Sequence, residues 1–191
     1  MMLLDIFTSY FEKDAKQLAD FKDMAKLRDL ILLLIPRVGQ RIEIIKLSQA
    51  LSLSRETVYN YLAFLEQTYF ISMLSKYSGS IDRQAAGSKK LFLCDSGMAR
   101  ALGNISEGQL FEQSVFQTIR TEHILQYYHK DILHEIDFIV DSSVALEAKM
   151  TASKRDISTL TRRASALNLH RGYVVTYHFL ESPYILMATD L

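Results

Sequence analysis

Three charged residues sit where a packed β-hairpin normally avoids charge. The runs HEIDFIV (134–140) and VALEAKM (144–150), joined by Asp141-Ser142-Ser143, read as two half-buried strands that carry Asp137, Glu147 and Lys149. Residues two apart on a strand share a face, so Glu147 and Lys149 point one way and Leu146 and Ala148 the other. A three-residue loop pairs Val140 with Val144 and sets Asp137 opposite Glu147, their Cβ atoms about 5 Å apart. Two carboxylates that close repel unless a cation lies between them. Mg²⁺ suits the position, because it binds hard oxygens and keeps several waters. Lys149, one pleat further, could then hold or polarise a water. The competing reading is a solvent-facing Glu-x-Lys ion pair with an Asp nearby.

The elements around the hairpin must position these groups. A long amphipathic helix is expected over 108–127, with Phe111, Val115 and Ile119 on one side. A second helix is expected at 153–168, then strands at Gly172–Tyr177 and Tyr184–Met187. Helix with Glu112, strand with Asp137, strand with Glu147-x-Lys149, helix, strand: in this order residues 105–178 resemble the PD-(D/E)XK nuclease superfamily. LFEQSVFQTI, EIDFIV and LEAKM stand where its helical Glu, its Asp and its E-x-K stand. The resemblance implies a phosphodiesterase core in which Asp137 and Glu147 ligate Mg²⁺ or Mn²⁺, with the Ala148 backbone carbonyl as a further ligand. It also implies that Glu112 assists them and that Lys149 helps to activate water.

Towards the N-terminus, residues 4–35 read as two helices, through Leu4, Phe7, Phe11 and then Met24, Leu27, Leu30, Ile31 and Leu34, closed by Pro36 and Gly39. A short helix Ile44–Leu51, a turn at Ser52-Leu53 and a helix from Arg55 to about Gln67 follow. Ser54 is its N-cap and Val58, Leu62 and Leu65 its buried stripe. Two β-prone runs, Tyr69–Leu74 and Lys90–Cys94, complete the order of a winged helix-turn-helix. Its second helix would expose Arg55, Tyr59, Asn60 and Ala63. Arg and Asn read base edges and Tyr touches phosphate, although such scaffolds also dock proteins. Arg155 and Arg162, seven apart on the helix after the E-x-K strand, with Lys154 and Arg163 close by, either hold a phosphodiester or form a solvated face.

Nearly all of the chain also resembles a large prokaryotic family of P-loop ATPases, in its C-terminal part of unknown function. The segments that carry this are FEKDAKQL, LSQALSLSRETVYNYLAFLEQTYFI, KKLFLCDSGMARAL and EIDF…LEAK. No G-x-x-x-x-G-K-[ST] is present, and GSKK at 87–90 lacks the spacing, so no ATP binding is expected. A separate P-loop ATPase is the partner this implies.

Composition narrows the choice. With 191 residues, 49 % of them hydrophobic, the chain can bury one large core or two modest ones. Its formal net charge is zero, which argues against a strongly basic, sequence-blind nucleic-acid binder. The acidic excess lies after residue 104, where the hairpin is. Cys94 is the only cysteine, so no internal disulfide forms, and its place in LFLC reads as a small buried hydrophobe. Five histidines lack zinc-ligand spacing, and Ser96 in CDSG reads as a helix cap. No apolar run is long enough to span a membrane, and the opening residues lack the pattern of a signal peptide, so a cytoplasmic location is expected. The expected fold is α/β: a helical and winged helix-turn-helix domain over 1–104, then a PD-(D/E)XK restriction-endonuclease-like mixed sheet with flanking helices over 105–191. The expected function is Mg²⁺-dependent cleavage of nucleic acid, DNA foremost, with DNA binding by the winged helix. The alternative is a non-catalytic DNA- or protein-docking module of a split or truncated P-loop ATPase.

Overall fold

The computed structural model describes residues 24–102, 104–131 and 134–191. The first of the two helices expected over 4–35, with Leu4, Phe7 and Phe11, lies outside these residues, as does FEKDAKQL. The chain forms two compact units, each made of two stretches: Met1–Met73 with Leu91–Ile105, and Leu74–Lys90 with Ser106–Leu191.

In the first unit, α1 (Met24–Leu34) buries Leu27, Leu30, Ile31 and Leu34. A 3-10 turn containing Pro36 ends it, since proline has no N–H to donate. α2 (Ile44–Leu51) stops at Ser52, which is left-handed with φ 53°. The Leu53 N–H donates to the Ser48 carbonyl at 2.9 Å, closing the helix in the manner of a Schellman motif. Ser54 Oγ accepts the Thr57 N–H at 3.0 Å and starts α3 (Arg55–Gln67), the cap its sequence predicts. Val58, Leu62 and Leu65 are buried as expected, and Arg55, Tyr59, Asn60 and Ala63 are exposed.

β1 (Ile71–Lys76) and β2 (Lys90–Leu93) come next, and the segment between them contains a further helix, α4 (Ile81–Ala86). α5 (Ser96–Leu102) follows β2. Asp95 Oδ1 accepts the Met98 N–H at 2.9 Å, so the cap is Asp95 and not Ser96. Cys94 is half-buried, not sealed in the core.

The second unit starts its helical part with α6 (Glu107–Ile119), opened by a reciprocal capping box between Ser106 and Gln109. This helix is shorter than its amphipathic pattern suggests. Of the residues expected to extend it, 120–124 form a turn and 125–127 open β3 (Leu125–His129). Tyr127 is fully buried between half-buried Gln126 and Tyr128, and pairing on both sides overrides the helical reading. β4 (Glu135–Val140), β5 (Val144–Lys149), α7 (Lys154–Ala166), β6 (Arg171–Thr176) and β7 (Ile185–Met187) complete the unit.

Among the described residues seven strands form one mixed sheet in the order β2-β1-β3-β4-β5-β6-β7. β1 and β2, expected as a ribbon of their own, are thus its edge, with Ser75 paired to Gln126 and Lys76 to Tyr127 in parallel. β3, β4 and β5 run antiparallel, whereas β5, β6 and β7 are parallel. One hydrophobic cluster joins Ile136, Ile139, Ala145 and Val174 of the sheet to Leu160 and Ala164 of α7. Phe116 of α6 stacks on Phe138, ring centroids 6.5 Å apart. Among the described residues no helix is long and apolar enough to cross a membrane.

Leu160 is 1 % exposed at the centre of the α7 contact, so Leu160→Ala should lower the unfolding free energy by about 2–5 kcal/mol. Urea denaturation of wild type and variant measures the difference.

Candidate functional site

The hairpin has the register its loop length predicts, Val140 pairing with Val144 and Phe138 with Leu146. Asp141 and Ser142 take positive φ, 49° and 56°, and the Ser143 N–H returns to the Val140 carbonyl at 2.9 Å. The pairing ends at Phe138 with Leu146, so Asp137 and Glu147, expected to face one another, are not a pair of the ladder, although the Asp137 charge acts on Glu147. The Ala148 N–H donates to Asp137 Oδ2 at 3.0 Å, fixing that carboxylate to the neighbouring strand. Lys149 Nζ is 3.2 Å from Glu147 Oε1. Arg163 of α7 approaches Glu147 Oε2 at 3.7 Å and donates to the Glu135 carbonyl at 2.6 Å.

The cation closest to Asp137 comes from elsewhere in the chain. Lys90, the first residue of β2, is 1 % exposed, and its Nζ lies 2.7 Å from Glu112 Oε1, 3.1 Å from Asp137 Oδ1 and 3.6 Å from Glu135 Oε1. The same ammonium sits 5.9 Å from the centre of the Phe138 ring. Consecutive strand residues normally face opposite ways, yet Asp137 and Phe138 both meet Lys90. The reason is a bulge. Gln126 pairs with Ile139 and Tyr128 with Ile136, so Asp137 and Phe138 together oppose the single residue Tyr127, and such an extra residue re-aims side chains.

Several local contacts hold Lys90 in place. The Tyr127 hydroxyl donates to the Ser88 carbonyl, and Lys89 Nζ donates to Ser75 Oγ at 2.6 Å. At Gly87 a Cβ would come to 3.0 Å from the Arg83 carbonyl and 3.1 Å from Lys76 Cβ, a tight fit that would make these neighbours give way slightly.

The electrostatics follow from too many carboxylates in too little water. Burial disfavours the charge on Lys90, but Asp137, Glu112 and Glu135 outweigh it and hold the ammonium above its ordinary pKa. Burial pushes the Glu112 carboxyl up to about 8, helped by the Asp137 charge and opposed by Lys90. Burial and Asp137 likewise raise Glu147 to about 7, against the pull of Lys149 and Arg163. Lys149 is raised too, burial being overcome by Glu147 and Asp137.

The Asp137–Glu147 pair fits a divalent cation better than Glu112 does. Glu147 Oε2 is buried and accepts no hydrogen bond, with the Arg163 guanidinium 3.7 Å away, a looser contact than the one that holds Glu112. Two carboxylates suffice for Mg²⁺, which keeps several of its waters. Glu112 faces Lys90 at 2.7 Å. Among the described residues no three His, Cys, Asp or Glu side chains are grouped so as to hold a metal ion.

Arg155 and Arg162 are exposed on α7; Arg163, beside them in sequence, turns inward to Glu147. Lys90, Glu135 and the inward role of Arg163 are the parts of the cluster that sequence reasoning misses. His129 is a fourth: its Nδ1 lies 3.5 Å from Glu135 Oε2. A signal for Lys90 does exist, a lysine opening a strand whose four residues are all buried.

Residues 1–109 match the family described as Domain of unknown function (DUF8612). The chain belongs to this family. The DUF8612 match includes Lys90 and stops short of Glu112, so the hairpin carboxylates lie beyond it. The chain is also similar to the uncharacterized protein MJ1544 of Methanocaldococcus jannaschii, 23 % identical over 195 residues. That alignment takes in 93 % of this chain and 44 % of the relative, so the chain spans less than half of the relative's length. No solved structure matches the chain.

Glu147 is neutral to about pH 7 when folded, against an ordinary value of 4.5. The folded state therefore binds more protons between those values, and the stability this contributes, complete at lower pH, is lost as pH rises through 7. Glu112 acts with the same sign. Unfolding free energy measured from about pH 5 to about pH 8 should decline, and Glu147→Gln should make the decline shallower. An unchanged slope in the variant would remove Glu147 as its source.

Proposed function

We propose that the chain is a metal-dependent phosphodiesterase acting on nucleic acid, with a PD-(D/E)XK-like core and a winged helix-turn-helix built on α2 and α3. One observation supports the reading: on one hairpin the Asp137 charge acts on Glu147, whose Oε1 meets Lys149 and whose buried Oε2 accepts no hydrogen bond. Hydrolysis of a phosphodiester needs negative charge stabilised on the phosphate and a water made nucleophilic beside it. Mg²⁺ or Mn²⁺, when bound, would supply both effects as a Lewis acid. Asp137 and Glu147 would hold it, the Ala148 carbonyl adding a neutral donor.

The remaining side chains have separate tasks. Lys149 is 42 % exposed, which lets its ammonium orient the attacking water and offset charge on the phosphate. Arg155 and Arg162 on the outer side of α7 would hold the nucleic-acid backbone, whose phosphates dominate affinity. Exposed Arg55, Tyr59 and Asn60 on α3 would touch duplex DNA, Arg and Asn at base edges.

A second reading is a non-catalytic DNA- or protein-docking module that serves a P-loop ATPase, either a separate chain or the missing part of a longer one. It is favoured by the length of the relative, more than half of which has no counterpart in this chain.

A cleavage assay with Mg²⁺ or Mn²⁺, on single-stranded, duplex and branched DNA and on RNA, separates the two. Cleavage by wild type should fall at least about 100-fold in Glu147→Ala, the scale on which loss of a key electrostatic group acts. No cleavage of any substrate, or cleavage that survives the substitution, would leave the docking module as the better reading.

A further inference from the structure

Glu112 meets an ammonium where the resemblance would have it help to serve a metal. Lys90 Nζ lies 2.7 Å from Glu112 and 3.1 Å from Asp137, and the lysine is 1 % exposed. A divalent cation bound by Glu112 on this side would need roughly the same space, since Mg²⁺–oxygen contacts are about 2.1 Å. A buried ammonium is tolerated only when paired, and here three carboxylates and the face of Phe138 surround it.

We infer that Lys90 is a resident cation of the acidic site: it occupies the position at Glu112 that a divalent ion would otherwise take, and confines metal binding to Asp137 and Glu147. Glu112 is then a positioning residue for Lys90 and not a metal ligand. This rests on the reading of Asp137 and Glu147 as the cation pair, but the two can fail separately.

Mn²⁺ is the probe, counted on the full chain by the loss of the free-ion electron paramagnetic resonance signal, with thermal unfolding in chelator and in MnCl₂ run alongside. Wild type should bind a single ion. Glu112→Gln should keep that ion, whereas Glu147→Gln should weaken it at least about tenfold. Lys90→Met should unfold at a lower temperature than wild type in chelator, regain much of the loss in Mn²⁺, and bind one ion more than wild type.

Loss of the ion in Glu112→Gln would restore Glu112 as a ligand and overturn the inference. So would a Lys90→Met protein that binds no additional Mn²⁺. Should Lys90→Met fail to fold in chelator, the double variant Lys90→Met/Glu112→Gln removes a carboxylate together with the ammonium. It should fold and bind as many ions as wild type; an additional ion there counts against the inference. Wild type without Mn²⁺ beside a Lys90→Met protein that gains it would uphold Lys90 as the resident cation and sink the metal-dependent phosphodiesterase instead.

Discussion

The Lys90 ammonium is the charge on which this end of the sheet depends. Glu112 comes from α6, Asp137 and Glu135 from β4, and the lysine from β2. Burial drives the Glu112 carboxyl towards its neutral form, and the Lys90 ammonium is the charge that opposes this. Removing one partner of a buried ion pair typically costs more than the pair contributes, because the remaining charges stay buried and uncompensated. The cluster therefore tells more about which arrangement the chain adopts than about how stable it is. Asp137, tied to Lys90 on one oxygen and to the Ala148 N–H on the other, has little freedom to turn elsewhere.

The bulge in β4 makes this arrangement possible. In a regular ladder Asp137 and Phe138 would diverge, and the ammonium could meet the carboxylate or the ring, not both. Placing two residues against Tyr127 lets a charged and an aromatic group share one neighbour. Tyr127 in turn reaches Ser88, two residues before the lysine. The partner of the bulge thus also steadies the approach to Lys90.

Some of this was legible in the sequence. The hairpin register follows from a loop of three residues and holds from Val140–Val144 to Phe138–Leu146, whereas the side-chain period of two breaks at the bulge, at Asp137 itself. Ser54 marks the start of α3 because its hydroxyl has an unpaired amide three residues on to satisfy. The helix expected up to 127 fails because an amphipathic pattern does not reveal where a sheet will claim the next residues. Lys90 was hidden for another reason: its partners lie far along the chain, and a lysine at a strand end ordinarily reads as a solvated flank. The spacing puts Arg155 and Arg162 on one face with Arg163 next to it, and since adjacent helical positions lie about 100° apart, that is enough to turn Arg163 inward.

Lys90 closes a stretch, Leu74–Lys90, that folds with residues after 105 although the intervening chain belongs to the other unit. The Lys90–Asp137 bond alone spans 47 residues. Contacts so remote in sequence form late, since long loops must close before any such contact is rewarded. During synthesis the lysine leaves the ribosome well before its three carboxylates and must wait for them. A fragment begun at the start of α6 would never receive it, and would keep the carboxylates without the cation that makes their burial tolerable.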